Sequence, residues 1–224
     1  MIRKSFKIDN RVISDKSLPL IIGEIGQAHN GSIEKAFNFI DKIKENGGDA
    51  AKFQLHLASE ESTLDEPFRI KIKKFKNRYS YWESVEFSTE EWFKISNYCK
   101  KKKIIFLSSV FSRKGVDILT KVKTSAWKIA SGEFRSDELI QDMMKTRLPI
   151  LFSTGMMNFN EIKNLHSKLN KNSIRHAIFQ CTSNYPVKLK DTGLNIISEL
   201  REKFNCQIGY SDHSGLLSPS LMAL

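Results

Sequence analysis

Short apolar runs alternate with longer amphipathic segments along almost the whole chain. The first apolar run covers residues 18–25, and the amphipathic segment after it starts at Ser32 and stops at Asn46-Gly47-Gly48. Each apolar run is long enough for one buried strand, and each amphipathic segment is long enough for a helix. Strands that alternate with helices in this way form βα units with parallel strands. The pattern therefore predicts an α/β fold.

Seven strands are predicted at regular spacing, and a helix follows each of them. They cover residues 18–25, 50–54, 104–108, 126–130, 149–153, 176–181 and 207–211. Polar side chains follow the C-terminal ends of most of these strands, which is typical of a TIM-type (β/α)8 barrel. A doubly wound sheet would carry a glycine-rich phosphate loop after its first strand, and residues 23–31 lack that pattern. We therefore expect a TIM-type barrel. The charged and aromatic segment 57–87 is expected to be a long loop that contributes to its site.

The barrel is predicted to be incomplete at its C-terminus. An eighth strand is not found before Leu224, and residues 218–224 have the sequence of a helix start. An open set of seven strands would leave two parallel edges without a partner, which is unfavourable in solution. We therefore expect a C-terminally truncated protein, with an N-terminal extension at 1–17 and a partial barrel domain at 18–224.

The net charge of +11 raises the question of nucleic-acid binding. Much of the excess lies in 69–78 and in Lys100–Lys103, and neither run resembles a nucleic-acid-binding module. A solvated surface is the expected role, and steering of an anionic substrate is the alternative. No apolar run approaches the roughly 18 residues of a membrane span, and the N-terminus lacks a signal-peptide core. We expect a cytoplasmic protein that binds neither nucleic acid nor membrane.

The chain has three cysteines, Cys99, Cys181 and Cys206. Their odd number and the absence of a CxxC motif predict reduced thiols and do not indicate a structural zinc site. Cys181 ends the sixth predicted strand, where a buried thiol is usually a small apolar side chain.

Two lysines, Lys52 and Lys128, lie in strands that are otherwise apolar. A buried ammonium without a partner costs several kcal/mol, and the phosphate or carboxylate of a substrate would remove that cost. Strand alternation places Gln54 and His56 on the same face as Lys52. The lysines are predicted to bind a shared anion, and a Schiff-base nucleophile remains the alternative.

Hydroxyl-bearing side chains recur at the predicted strand ends. They are Ser108, Ser109, Ser112, Ser131, Ser153, Thr154, Thr182, Ser183, Ser211 and Ser214. Together with backbone N–H groups at helix starts they suit a phosphate, although a single serine there is often a helix cap. Glu24 and His29-Asn30 are candidates for proton transfer or sugar binding. Asp212-His213 is a candidate metal-binding or acid–base pair.

Six segments in this order resemble the sialic acid synthase family, which includes N-acetylneuraminate, legionaminate and pseudaminate synthases. They are Glu24–Ser32, Lys52–His56, Lys128–Glu133, Ser153–Met156, Cys181–Pro186 and Gly209–Ser214. The resemblance implies a TIM barrel that condenses phosphoenolpyruvate with an N-acetylated aminosugar such as N-acetylmannosamine. A nine-carbon 2-keto sugar acid and phosphate are the implied products, and a divalent metal, Mn²⁺ or Mg²⁺, is the implied cofactor. A homodimer is also implied for the full-length protein, with a C-terminal antifreeze-like domain that this chain lacks.

The resemblance further implies roles for individual residues. The phosphoenolpyruvate-binding set is Lys52, Ser109, Lys128, Ser131, Ser153, Ser183 and Ser211, and the sugar-binding set is Glu24, Gln54, Glu133 and Tyr185. Glu133 is the implied proton carrier with Glu24 as its competitor, and the two lysines complete the catalytic set. His213 is implied as one of two histidine metal ligands. Ser109 stands where some relatives carry Thr, and Ser183 where some carry Asn.

Two other functions remain open on the sequence. One is a class I aldolase that forms an imine on Lys52 or Lys128, and the other is a non-catalytic relative that still binds an anionic sugar. The second histidine ligand of the family lies on the eighth strand, so the isolated chain is expected to be poorly active.

Overall fold

The computed structural model describes residues 4–68 and 74–224. These residues divide into two compact units, which we name after their buried lysines. Of the described residues, the Lys52 unit comprises 20–68 and 74–125, and the Lys128 unit comprises 4–19 and 126–224. Residues 69–73 of the predicted basic run lie outside the described part of the chain.

The N-terminal residues form a β-hairpin that belongs to the Lys128 unit. Strand β1 (Phe6–Ile8) pairs antiparallel with β2 (Arg11–Ile13). Lys4 N–H donates to the carbonyl of Asn205 at 3.1 Å, which ties the hairpin to the rest of the unit. The sequence analysis predicted only an extension here, because strands of three residues are too short to show a periodicity.

The Lys52 unit contains three parallel strands in chain order. Its elements are β3 (Ile22–Gly26), α1 (Ile33–Glu45), β4 (Ala50–Leu55), α2 (Ala58–Glu61), α3 (Arg78–Val85), α4 (Thr89–Lys102), β5 (Ile105–Val110) and α5 (Arg113–Lys121). Ser32 accepts the Lys35 N–H at the start of α1, and Ser88 forms a capping box with Glu91 at the start of α4. The helix start predicted at Ser32 is therefore confirmed, and Ser88 begins α4 in a similar way. The segment 57–87, predicted as a long loop, contains α2 and α3.

The Lys128 unit contains four parallel strands in chain order. Its further elements are β6 (Trp127–Ile129), α6 (Asp137–Lys145), β7 (Ile150–Ser153), α7 (Phe159–Lys171), β8 (His176–Cys181), a 3₁₀ turn (Leu189–Asp191), α8 (Leu194–Lys203), β9 (Gln207–Ser211) and α9 (Leu217–Met222). The sixth and seventh predicted strands match β8 and β9 at both ends.

The parallel strands β3 to β9, each followed by a helix, have the element order of a TIM-type barrel. Every residue of β7 is buried, and five of the six residues of β4 are buried. Parallel strands that are covered on both faces are apolar along their length, which explains the continuous apolar runs in the sequence. Within the described residues, no helix is both long enough and apolar enough to cross a membrane.

Candidate active site

One group of predicted site residues lies in the Lys52 unit, where Glu24 and Lys52 are register partners on β3 and β4. The Glu24 carboxylate forms an ion pair with the Lys52 ammonium, and Ser109 Oγ lies 3.4 Å from the same nitrogen. Lys52 is buried, whereas the Glu24 side chain is 49% exposed. The expectation that Lys52 depends on a substrate anion for its counter-charge is therefore wrong, because Glu24 supplies one within the protein.

Gln54 lies two residues beyond Lys52 and pairs in register with Ser109 of β5. Its backbone carbonyl accepts a hydrogen bond from Gln27 Nε2 at 2.8 Å. The pairing of β3 with β4 is irregular between Glu24 and Gly26, and Gly26 has a φ of +53°. A bulge of this kind redirects the side chains beside it, and glycine tolerates the positive φ. The chain thus brings Glu24, Lys52, Gln54 and Ser109 to one strand end, as predicted.

His56 is fixed by groups that the sequence analysis did not identify. Its Nδ1 lies 2.6 Å from Glu61 Oε2, and its ring stacks on Trp82 and Phe111 with centroid distances of 4.2 and 4.0 Å. The second Glu61 oxygen accepts the Leu57 N–H at 2.8 Å. His56 is therefore held rigidly at the end of β4. The aromatic content of residues 75–82 was the sequence signal for this packing.

His29 is a packed residue of the turn after β3. It is fully buried, stacks on Phe87 at 4.3 Å, and its Nδ1 accepts the Gly31 N–H at 3.1 Å. Burial lowers the pKa of His29 to about 4, so the ring is neutral near pH 7. The proton-transfer role considered for His29 therefore has no support in this geometry, and Asn30 serves the turn with a φ of 50°.

Another group of predicted site residues lies in the Lys128 unit. Lys128 is buried, and its ammonium donates to Ser153 Oγ at 2.6 Å and to the Ile129 carbonyl at 2.9 Å. The ammonium also lies 5.9 Å from the centre of the Phe179 ring. Lys128 is the second of the three residues of β6, and Ser153 is the last residue of β7.

Gly155, in the loop after β7, lies beneath three polar side chains of the same unit. A Cβ at this position would collide with Ser183 Oγ and would lie within about 3 Å of Ser131 Oγ and Cys181 Sγ. Ser131 Oγ also donates to Cys181 Sγ at 3.6 Å. Two predicted phosphoenolpyruvate-binding serines, Ser131 and Ser183, therefore converge on one glycine. Only a residue without a side chain allows these three groups to pack so closely over the backbone.

Cys181 is a buried thiol within this group. Burial raises its pKa, but hydrogen bonds with His213 and Ser131 and the positive charge of Lys128 outweigh burial. The pKa of Cys181 is therefore below its usual value. The prediction of a buried strand-end thiol is confirmed.

His213 follows β9, and its ring is oriented by the chain around it. Its Nδ1 lies 3.0 Å from the Thr182 carbonyl, which can only accept, so Nδ1 carries the hydrogen. The lone pair is therefore on Nε2, which lies 3.2 Å from Tyr185 Oη and 3.5 Å from Ser211 Oγ. A metal-binding histidine usually has this arrangement, with its second nitrogen bonded to a carbonyl. His213 thus fits the role of a metal ligand through Nε2.

The neighbouring Asp212 has a different role from His213. Its carboxylate accepts from Tyr210 Oη at 3.1 Å and from Ser214 Oγ at 2.8 Å. Burial and the Asp212 charge raise the pKa of Tyr210 to about 12. Asp212 therefore fixes the loop that carries His213.

Two predicted hydroxyl groups have local partners, and the Glu133 carboxylate has a hydrogen-bond partner close to it in sequence. Ser112 caps α5 through the Gly115 N–H, and Thr182 Oγ1 donates to the Asp191 carbonyl at 2.8 Å. Glu133 Oε2 accepts from Ser136 Oγ at 2.7 Å, at the start of α6. The Glu133 carboxylate is thereby oriented through one of its oxygens.

Comparison with known proteins identifies relatives over most of the chain. A family model described as the NeuB family matches residues 39–224. An uncharacterized protein of Methanocaldococcus jannaschii is 36% identical over 96% of this chain and 62% of its own length. The N,N'-diacetyllegionaminic acid synthase of Legionella pneumophila is 31% identical over 90% of this chain and 59% of its own length. The chain therefore spans about three fifths of the length of these curated relatives.

A solved structure of known fold is also similar to this chain. The N-acetylneuraminic acid (sialic acid) synthetase of Leptospira borgpetersenii matches with a TM-score of 0.87 and 24% identity, over 99% of this chain and 74% of that chain. At this level of identity the likeness concerns the fold alone. It confirms the predicted α/β class with the strand order of a TIM-type barrel.

Proposed function

Because the chain belongs to the NeuB family, as its six segments predict, we propose that it carries the substrate-binding residues of a phosphoenolpyruvate-dependent sugar acid synthase. The reaction joins phosphoenolpyruvate to an N-acetylated aminosugar, consumes one water, and gives a nine-carbon 2-keto sugar acid and phosphate. The observation that supports this proposal most strongly is the Lys128 ammonium, buried and bonded to Ser153 Oγ at 2.6 Å.

Binding of phosphoenolpyruvate is assigned to the ammonium and hydroxyl groups of the site. In the Lys128 unit these are Lys128, Ser131, Ser153, Ser183 and Ser211, and in the Lys52 unit they are Lys52 and Ser109. Phosphate and carboxylate oxygens accept hydrogen bonds, and charge-assisted bonds from an ammonium in a buried site are strong. The substrate carries both kinds of anionic group, which suits two separate lysines.

The aminosugar is assigned to Glu24, Gln54, Glu133 and Tyr185. Glu24 and Tyr185 are exposed, and Gln54 and Glu133 are half-buried. Their carboxylate, amide and phenol groups match the hydroxyl and acetamido groups of such a sugar. The Legionella relative is named for legionaminic acid and the Leptospira structure for N-acetylneuraminic acid.

The chemistry consists of one carbon–carbon bond formation and one phosphate release. C3 of phosphoenolpyruvate attacks the aldehyde carbon of the sugar, and the carbonyl oxygen gains negative charge that needs stabilisation. Water then adds at C2 and gives up a proton, and phosphate leaves from the same carbon. Glu133 is assigned as the proton acceptor because Ser136 fixes its orientation, and Glu24 is the alternative. A divalent ion, Mn²⁺ or Mg²⁺, held in part by His213 Nε2, would supply Lewis-acid stabilisation to the aldehyde oxygen.

The proposal is tested by calorimetric titration of phosphoenolpyruvate into the chain and its lysine variants. Lys52→Met and Lys128→Met are each expected to weaken binding at least tenfold, because each removes an ammonium from the site. Lys100→Met and Lys171→Met are the matched controls, since both lysines are exposed on helices. Controls that weaken binding as much as the site variants would show that only the net charge matters, and would contradict the proposal.

A second experiment separates the synthase from the aldolase alternative. Incubation with pyruvate and borohydride is expected to give no covalent adduct, because the proposed lysines bind oxyanions and form no imine. A trapped adduct lost in Lys128→Met or Lys52→Met would support the aldolase instead. Phosphate release in a protein extended to the length of its relatives, dependent on both phosphoenolpyruvate and aminosugar, distinguishes a synthase from a non-catalytic binding protein.

A further inference from the structure

Three side chains with metal-ligating atoms meet in the Lys128 unit, away from the strand ends that carry the candidate active site. His166 lies in α7, His176 is the first residue of β8, and Cys206 immediately precedes β9. Their ligand atoms all lie within 4.8 Å of one another. Cys181 and Ser211 end the same two strands, and a strand of six residues is about 17 Å long. The cluster is thus separate from the residues assigned to the synthase.

We propose that His166, His176 and Cys206 form a binding site for a zinc-like divalent ion. Two imidazoles and one thiolate are the donor set that zinc prefers, whereas Mg²⁺ and Mn²⁺ prefer oxygen ligands. The site is independent of the proposed function, since it uses none of the residues assigned to substrates or to the catalytic ion.

His176 is already oriented as a ligand. Its Nδ1 lies 2.9 Å from the Ile174 carbonyl, which can only accept, so Nδ1 carries the hydrogen. The Nε2 lone pair therefore faces His166, whose Nδ1 is 2.9 Å away. Burial lowers the pKa of His176 to about 4, so this ring is neutral near pH 7.

On metal binding, His166 would exchange its hydrogen bond with His176 for a bond to the ion, while its Nε2 can stay hydrogen-bonded to Asn170. In the metal-free arrangement, its Nδ1–H donates to His176 Nε2, and its Nε2 accepts from Asn170 Nδ2 at 2.8 Å. With an ion bound, the Nδ1 lone pair faces the ion and Nε2 carries the hydrogen. A half-turn of the Asn170 amide then presents its oxygen to that hydrogen. Asn170 can therefore accept from or donate to His166 Nε2, with or without hydrogen on that nitrogen.

The three ligand atoms, which lie within 4.8 Å of one another, need shifts of no more than about 1 Å to hold a tetrahedral ion. Zinc lies about 2.0–2.1 Å from imidazole nitrogen and about 2.3 Å from sulfur, which places tetrahedral ligand atoms about 3.3–3.6 Å apart. The His166–His176 separation of 2.9 Å must open by a few tenths of an ångström. A cavity of about 370 Å³, lined in part by His176 and Cys206, admits water as a fourth ligand.

Two cations face the same cavity and oppose the binding of an ion. Lys4 and Arg175 are both among its lining residues. A Cys206 thiolate offsets part of their repulsion, because it reduces the net charge of a bound divalent ion to about +1. Removal of the Lys4 charge is therefore expected to tighten metal binding, and misfolding would not produce that gain.

The experiment is a titration of the chain with Co²⁺, followed by absorption spectroscopy. We expect one equivalent to give visible bands of a tetrahedral ion and a thiolate-to-cobalt charge-transfer band, and Zn²⁺ to displace it. Cys206→Ser should abolish the charge-transfer band, and His166→Gln and His176→Gln should each weaken binding at least tenfold. Lys4→Met should strengthen Co²⁺ binding about threefold.

The controls are Cys181→Ser and His213→Ala, which alter the candidate active site and are expected to keep the band. Circular dichroism establishes that each variant is folded. Absence of the band in the unmodified chain, or its loss in Cys181→Ser but not in Cys206→Ser, would overturn the proposal. Neither result bears on phosphoenolpyruvate binding, which is measured separately.

Discussion

Glu24 and Lys52 form an ion pair across two neighbouring parallel strands, β3 and β4. The lysine is 7% exposed, whereas the glutamate side chain is 49% exposed. The Lys52 ammonium is thus removed from water, whereas about half of the Glu24 side chain remains exposed. The stability of this strand end depends on the carboxylate, because the buried ammonium carries most of the desolvation cost.

Replacement of Glu24 by Gln is expected to lower the free energy of unfolding by about 1–2 kcal/mol. Breaking a fully buried pair costs about 3–5 kcal/mol, and solvent around Glu24 reduces that figure. Lys52→Met should destabilise less than Glu24→Gln, since it removes the buried charge and retains an apolar side chain.

Urea unfolding of the unmodified chain, Glu24→Gln and Lys52→Met measures the difference in the free energy of unfolding. The matched control is Glu45→Gln in the exposed Lys42–Glu45 pair, where little change in the free energy of unfolding is expected because solvent screens both charges. Equal losses at Glu24 and Glu45 would contradict the argument from burial.

The strands were predictable because their ends are marked in the sequence. Cys181 is followed by Thr182 and Ser183, and β8 begins and ends where the apolar pattern does. The partner of Lys52 was not predictable. It depends on which residues of β3 and β4 stand opposite one another, and periodicity within one strand does not determine that register.

Functions of single hydroxyl groups were equally hard to predict. Ser109 and Ser112 both follow the third predicted strand, yet Ser109 contacts Lys52 and Ser112 caps α5. The cluster of His166, His176 and Cys206 gave no signal, because its ligands come from three elements without motif spacing. Such groupings are set by tertiary packing and become visible only in the structure.

Gly155→Ala is expected to weaken phosphoenolpyruvate binding at least tenfold. The added methyl group would collide with Ser183 Oγ and crowd Ser131 and Cys181, so these groups must move apart. Overpacking of this kind costs about 1–3 kcal/mol, which a melting experiment would also register. Gly132→Ala is the matched control, because a Cβ there has no neighbour within 4 Å. An unchanged affinity in folded Gly155→Ala would remove the Ser131–Ser183 pair from the binding site.

Ser112→Ala and Ser109→Ala are expected to have opposite effects. Loss of the cap in Ser112→Ala should lower the free energy of unfolding by about 1 kcal/mol and leave phosphoenolpyruvate affinity unchanged. Ser109→Ala should weaken that affinity several-fold, with a smaller effect on stability. Calorimetric titration and urea unfolding of the same two proteins provide both measurements. A pair of variants with the same profile would show that the two hydroxyls do not differ in role.

The stability of the chain is expected to depend on pH through His29. Burial lowers its folded-state pKa to about 4, while an unfolded histidine titrates near 6.5. Between these values the unfolded state binds more protons, so the contribution of His29 to stability is complete above about pH 6.5 and is lost as the pH falls toward 4. In His29→Asn the amide oxygen can still accept the Gly31 N–H, but the titrating group is gone. The loss of stability between about pH 7 and about pH 5 should therefore be smaller in the variant, by at most about 1.4 kcal/mol per pH unit.

Urea unfolding at the two pH values measures this difference, and the other histidines, common to both proteins, serve as the internal control. Parallel pH profiles for the two proteins would show that His29 is not the group that titrates.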